Sequence, residues 1–211
     1  MDWGVGWSLR KKGTRLYTRL YFEPVTAVQE YETRENDLIP VFWFSDDSPM
    51  FGQVTLFRTI ILNQAQMASV SDRAREYVVQ HELGHLERGP IRKAVFWGLI
   101  GFCFALSWMA FVGALTFIQS GFSSMDVLVL GLVILSSFLT FVLASRIDET
   151  AAELFALRRL GKGPFLKSKR EIRTPSEESV FMRAFVRLMY PRPGTVVYIN
   201  ESVRWVKGYF E

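Results

Sequence analysis

Histidine is nearly absent from this chain: its 211 residues contain two, His81 and His85. Cysteine is scarcer still, with Cys103 alone, so no intrachain disulfide and no Cys-x-x-Cys metal or redox motif can form. The chain is thus compatible with a reducing compartment. Charge is missing where it matters most. Between Lys93 and Arg146 the only acid or base, apart from the weakly acidic Cys103 thiol, is Asp126. No soluble domain surface reads that way, which implies a lipid bilayer as partner before any motif is considered. The first twenty residues are basic and aromatic and lack the continuous apolar core of a secretory signal. Trp3 and Trp7 beside Arg10-Lys11-Lys12 suit a membrane interface, and an ordinary folded or frayed N-terminus is the reading favoured over it. The net charge of +4 is scattered or sits beside the apolar stretch, with no nucleic-acid motif, so nucleic acid is not an expected partner.

The chain is long enough for one large domain or two small ones with a real core. Thr26 to Gln29 has capping-box spacing and predicts a helix over about 27–37. Leu38 to Phe44 is apolar and β-prone, Asp46 to Pro49 reads as a turn, and Val54 to Leu62 is rich in β-branched residues. Two or three strands over 38–63 are expected to form a small sheet. A helix follows Ser71, its N-cap, with Asp72 and Glu76 near its start and Gly89-Pro90 at its end.

Ala94 to Ile118 offers 25 residues without charge, about 37 Å as a helix, and Val127 to Ser145 offers 19, about 28 Å. Each suffices to cross a bilayer, and the short polar turn between them makes a transmembrane hairpin. Cys103, within the first span, is expected to be a small lipid- or helix-facing residue. Arg88, Arg92 and Lys93 precede the hairpin, Arg146, Arg158, Arg159 and Lys162 follow it, and the turn has no lysine or arginine. The positive-inside rule places both ends in the cytoplasm. The expected location is the inner (plasma) membrane, multi-pass, with the residues on either side of the hairpin in one compartment. Arg146 to Leu160 is expected to continue as a helix and stop at Gly161, residues 166–178 to form a surface loop, Ser179 to Tyr190 a helix, and the tail a strand and a short terminal helix.

The two histidines frame His81-Glu82-Leu83-Gly84-His85. On a helix, i and i+4 share a face, so both imidazoles can hold one metal ion, and nitrogen at that spacing suits zinc. A zinc ion lowers the pKa of a water it binds, and Glu82 is placed to take the proton as general base. A catalytic zinc site needs a third protein ligand. With no third histidine it must be a carboxylate, and Glu87, two residues past His85, points elsewhere around the helix. The hairpin returns Asp148, Glu149 and Glu153 to the same side of the membrane. Glu149 and Glu153 are i, i+4, so one can bind the metal while the other orients a ligand. Solvated salt bridges with Arg158 or Arg159 are the competing reading of these acids.

The order of parts, HELGH, an apolar hairpin and then SRIDETAAELFALRRLG from Ser145, resembles the gluzincin metallopeptidases of the HtpX-like and CAAX prenyl endopeptidase group. In that group the second motif reads Ser-Arg, two residues, Glu, two residues, Ala-Asp. The resemblance implies Glu149 as third zinc ligand and Glu153, in the aspartate's place, as a supporting acid. It implies a substrate-binding edge strand at Met50, Phe51, Gly52, Gln53 and Val54, where an extended peptide adds by β-augmentation. Tyr190-Pro191 stands where the group often has His-Pro, which suggests the Tyr190 hydroxyl as an oxyanion donor. Larger members carry further spans before HELGH, so the chain resembles a minimal, minigluzincin-like form with one hairpin inserted. The expected fold is an α+β integral membrane protein: a small zincin-like catalytic domain, a short sheet plus the HExxH helix, in two halves (1–93 and 146–211), with the hairpin (94–145) between them. The expected function is that of a zinc-dependent membrane endopeptidase, with one Zn2+ per chain and a peptide or protein substrate. The alternative is a catalytically inactive zinc-binding membrane scaffold or interaction protein of the same fold.

Overall fold

The computed structural model describes residues 11–17, 25–32, 38–45, 50–55, 57–87, 89–121, 123–172 and 187–210. It divides into two compact units: Met1–Glu87 with Ala152–Pro175, and Arg88–Ala151 with Ser176–Glu211.

The first unit holds a four-stranded mixed sheet. Its strands are β1 (Ala27–Glu32), β2 (Leu38–Phe44), β3 (Gly52–Val54) and β4 (Ile60–Asn63), in the order β1-β2-β4-β3. β2 and β4 run parallel, while β1 and β3 are antiparallel edges. Phe42, Phe44, Ile60, Ile61 and Leu62 are fully buried, so the central pair carries the core. The capping-box reading of residues 27–37 is corrected: Ala27–Glu32 is a strand. The Thr26 hydroxyl donates to the Trp43 carbonyl, 3.2 Å away, and to Gln64 Oε1, so it ties the sheet and caps no helix. The long β run expected from Val54 is also two strands. Arg58 takes a positive φ of 56°, and the Thr55 amide donates to the Thr59 carbonyl, which folds the chain back between them. The expected turn at 46–49, and residues 33–37, lie outside the described residues.

Asn63 caps the short helix α1 (Gln64–Ala68), and Ser71 caps α2 (Asp72–Leu86), as its sequence predicts. α2 buries Ala74, Tyr77, Val78, Leu83 and Leu86 and packs against β3 and against α5 (Lys162–Ile172). The helix α5 corrects the loop expected from residue 166; residues 173–178 of that reading lie outside the described residues. The charged side chains obscured its apolar anchor, because Phe165 and Ser168 are fully buried at i, i+3. Gly161, at φ 82°, makes the sharp stop between the preceding helix and α5, a conformation that costs a residue with a Cβ.

The second unit contains α3 (Pro90–Ser120), most of α4 (Ser124–Leu160), and α6 (Pro193–Phe210). Pro90 opens α3 at N1, where its missing N–H is harmless, so Gly89-Pro90 both ends one helix and starts the next. α3 and α4 are long and apolar enough to cross a membrane by length and composition. The most apolar 18 residues of the first are 0% buried and those of the second 11%, whereas the core helices of a soluble domain would hide theirs. Phe104, Trp108, Ile118, Leu132 and Ile134 all point outward. Between the two helices the Ser137 hydroxyl lies 2.8 Å from that of Ser107 and 3.2 Å from Cys103 Sγ. Cys103 is thus a helix-facing residue, and small polar side chains bind this hairpin. Asp126 accepts from the Ser123 amide and hydroxyl and caps its own helix, which explains the lone acid of the stretch. The tail is one helix, not the strand and short helix expected: Val196, Val197 and Asn200 are buried on one face. Residues 179–186 of the expected helix before Tyr190 lie outside the described residues, and 187–189 are helical.

One electrostatic device anchors the start of α2. Glu171 accepts from the Ser71 amide at 2.5 Å and from its hydroxyl at 2.8 Å, while that hydroxyl accepts from the Ala74 amide. The backbone hydrogen bond first, then the hydroxyl, hold the Glu171 pKa below the ordinary 4.5. A depressed carboxylate contributes stability above its unfolded pKa and loses it as pH falls through the folded value. Glu171→Gln should therefore lower the melting temperature at pH 7, and the gap from wild type should close below about pH 4. A gap that persists unchanged at pH 3 would refute the assignment.

Candidate metal centre

The helix α2 carries Tyr77, His81 and His85 at successive i, i+4 positions, hence on one face. The two imidazole rings meet at 89° with centroids 4.8 Å apart, and their Nε2 atoms are separated by 3.2 Å. Two nitrogens bound to one tetrahedral zinc at its usual bond length stand about 3.3 Å apart. The pair is therefore set as zinc requires. α4 runs unbroken from Ser124 to Leu160, and a ligand oxygen of Glu149 lies within 4.8 Å of both histidine nitrogens. The donor set of two imidazoles and one carboxylate matches catalytic zinc sites, which keep a fourth position open.

The approach of the two helices depends on Gly84. A Cβ there would stand 2.8 Å from Ala152 Cα and 3.0 Å from its carbonyl oxygen. Both are backbone atoms, which cannot turn aside. Glu82, 6% exposed, lies on the side of α2 that meets β3: a Cβ at Gly52 would be 3.5 Å from Glu82 Cγ. Of the expected edge strand, Gly52, Gln53 and Val54 form β3, at an edge of the sheet; Met50 and Phe51 lead into it, and the Phe51 carbonyl accepts from Asn63.

The three candidate acids of α4 have three different environments. Asp148 accepts from Arg92 Nη2 at 2.9 Å, which also reaches its carbonyl oxygen, so Asp148 is a structural ion-pair partner. Glu149 is the acid grouped with the histidines. Glu153 is fully buried; its Oε1 accepts from the Tyr77 hydroxyl at 2.8 Å and from Lys169 at 2.5 Å, and lies 3.7 Å from His81 Nδ1. Glu87 is drawn instead to Arg159, 3.8 Å away. Tyr77 and Lys169 were not legible as site residues. Tyr77 could have been found from its position one turn before His81. Lys169 could not, because its helix read as a loop. Tyr190 follows the helical residues 187–189 and is 43% exposed, in the second unit.

The model of Peptidase family M48 matches residues 50–182, which take in α2, the hairpin and the acids of α4. The chain belongs to Peptidase family M48. No curated protein and no solved structure matches it. M48 membership implies zinc metalloprotease activity, and His81, His85 and Glu149 form the candidate metal site for it. Two exposed apolar helices in an M48 chain suggest a membrane protein.

Because the site depends on a backbone approach, Gly84→Ala should cost about 1–3 kcal/mol of stability or more and spread α2 from α4. The expected result is a lower melting temperature together with weakened zinc retention on dialysis. Wild-type zinc retention in a destabilised Gly84→Ala protein would show that the site does not need this contact.

Proposed function

We propose that this M48 protein is a membrane endopeptidase whose active centre is His81, His85 and Glu149 around one zinc ion, with Glu82 as general base. The observation that carries the reading is the 3.2 Å approach of the two histidine nitrogens with the Glu149 carboxylate beside them. The residues fit the ion by number, chemistry and spacing. When bound, zinc supplies a Lewis acid and lowers the pKa of water at its open position. Glu82, next to the first ligand on the same helix, takes the proton of the attacking water and returns it to the leaving amine. Burial against β3 holds its carboxylate to few rotamers. An extended substrate adds to the edge formed by Met50 to Val54, and its carbonyl is thereby carried past Glu82. Glu153 supports the His81 ring from behind. Tyr190, exposed enough to meet a substrate, donates to the developing oxyanion.

Glu82→Gln should retain stoichiometric zinc and cleave a peptide roughly 10²–10⁴-fold more slowly. Glu149→Ala should lose the metal, and Tyr190→Phe should slow turnover with zinc intact. Metal analysis and peptide digestion in detergent measure all three. Glu82→Gln cleaving as fast as wild type would reject Glu82 as the general base, whereas a wild type that binds zinc and cleaves nothing would favour a zinc-binding scaffold of the same fold.

The proposed placement is multi-pass in the inner (plasma) membrane, with the metal site and both termini cytoplasmic. Arg92, Lys93 and Arg146 flank the spans, and the turn between them lacks lysine and arginine, which supports that orientation. In a Cys103→Ser background, Ser120→Cys should react with a membrane-impermeant maleimide in intact cells with the outer membrane permeabilised, and Lys167→Cys should not. The reverse labelling would reject the orientation.

A further inference from the structure

Lys169 lies on α5, sixteen residues beyond Glu153 in sequence. Its ammonium donates to Glu153 Oε1 at 2.5 Å and stands 5.3 Å over the Tyr77 ring. The same oxygen accepts from the Tyr77 hydroxyl and is the carboxylate atom nearest His81 Nδ1, at 3.7 Å. Glu153 is 0% exposed and the Lys169 side chain 18%, so the acid is buried and the lysine half-buried. One oxygen thus has three claimants: an ammonium, a phenol and the ring of a metal ligand. At 3.7 Å the ring is beyond hydrogen-bonding distance, so Lys169 and Tyr77 decide where that oxygen sits.

We infer that Lys169 is a positioning residue of the metal centre: it compensates the charge of Glu153 and fixes the carboxylate behind His81, and so sets the strength and symmetry of metal binding through that histidine. The inference rests on the proposed metal site. It adds a residue that touches neither substrate nor metal. The charge arithmetic favours the role. Two neutral imidazoles, Glu82 and Glu149 together balance a divalent cation, and Glu153 would leave the centre one negative charge in excess were Lys169 not paired with it.

The test uses the full chain in detergent, stripped of metal and titrated with Co2+, with affinity read by competition against a chelating indicator and ligand field by the visible absorption of the bound ion. Wild type should bind one Co2+, and His81→Ala should not. Lys169→Met should bind roughly tenfold more weakly with a shifted absorption envelope, and Lys169→Arg should restore both. In a Glu153→Gln background, Lys169→Met should cause no further loss, since Lys169 acts through Glu153. If Lys169→Met does not fold, Lys169→Gln carries the comparison with Lys169→Arg. Wild-type affinity and spectrum in the folded Met or Gln variant would overturn the role of Lys169. An undiminished loss in the Glu153→Gln background would do the same. Failure of the wild type to bind Co2+ would instead sink the metal reading, and this inference with it.

Discussion

Everything at the candidate centre depends on two helices meeting at Gly84 without a side chain between them. The residue offers no chemistry of its own. It lets the backbone of Ala152 approach to where any Cβ would collide, and Ala152 in turn contributes only a methyl group. Ligands on α2 and acids on α4 are about seventy residues apart in the chain, so no local interaction can bring them together. A close-packed contact between two rigid rods can. Once the rods touch there, the 3.6-residue period decides which acids face the histidines.

That period explains why three neighbouring acids do different work. Glu149 and Glu153 are one turn apart and point the same way; Asp148 is rotated by about 100°. Asp148 meets Arg92, Glu149 groups with the two histidines, and Glu153 lies 3.7 Å from His81 Nδ1. The burial of Glu153 is tolerable because three groups surround one oxygen, including a cation. A buried carboxylate without such partners would be expensive. The competing reading, solvated bridges to Arg158 or Arg159, does not describe Glu153, which is fully buried against Lys169, and Arg159 is turned to Glu87.

The hairpin shows a different economy. Its outer faces carry large apolar side chains that no described residue covers, and its inner contact is made by Cys103, Ser107 and Ser137. In water that arrangement is inverted. In a bilayer it is the expected one, because lipid tails solvate the apolar faces and small hydroxyls bind helices to each other. The sequence reading of a two-span anchor and the exposure pattern therefore agree on independent grounds, one from hydropathy and one from packing.

Much of this was legible in advance where the signal is local. The capping of α2 by Ser71, the shared face of His81 and His85, the two apolar spans and the pairing of Glu149 with Glu153 all follow from periodicity. The misreadings share a cause. Residues 27–32 carry a helix-capping pattern, but Thr26 is used across the sheet by Trp43 and Gln64. Residues 166–172 look like a charged loop because two buried positions, Phe165 and Ser168, are outnumbered by lysines and arginines. In both, partners distant in sequence overrode local preference. By itself the sequence determined the kinds of ligand available, since two histidines leave only a carboxylate for the third place, and the two segments long and apolar enough to cross a membrane. Only the tertiary structure decided which acid takes which partner, and that Lys169 and Tyr77 hold the Glu153 oxygen near His81, because those depend on how three helices pack and no spacing along a single chain encodes it.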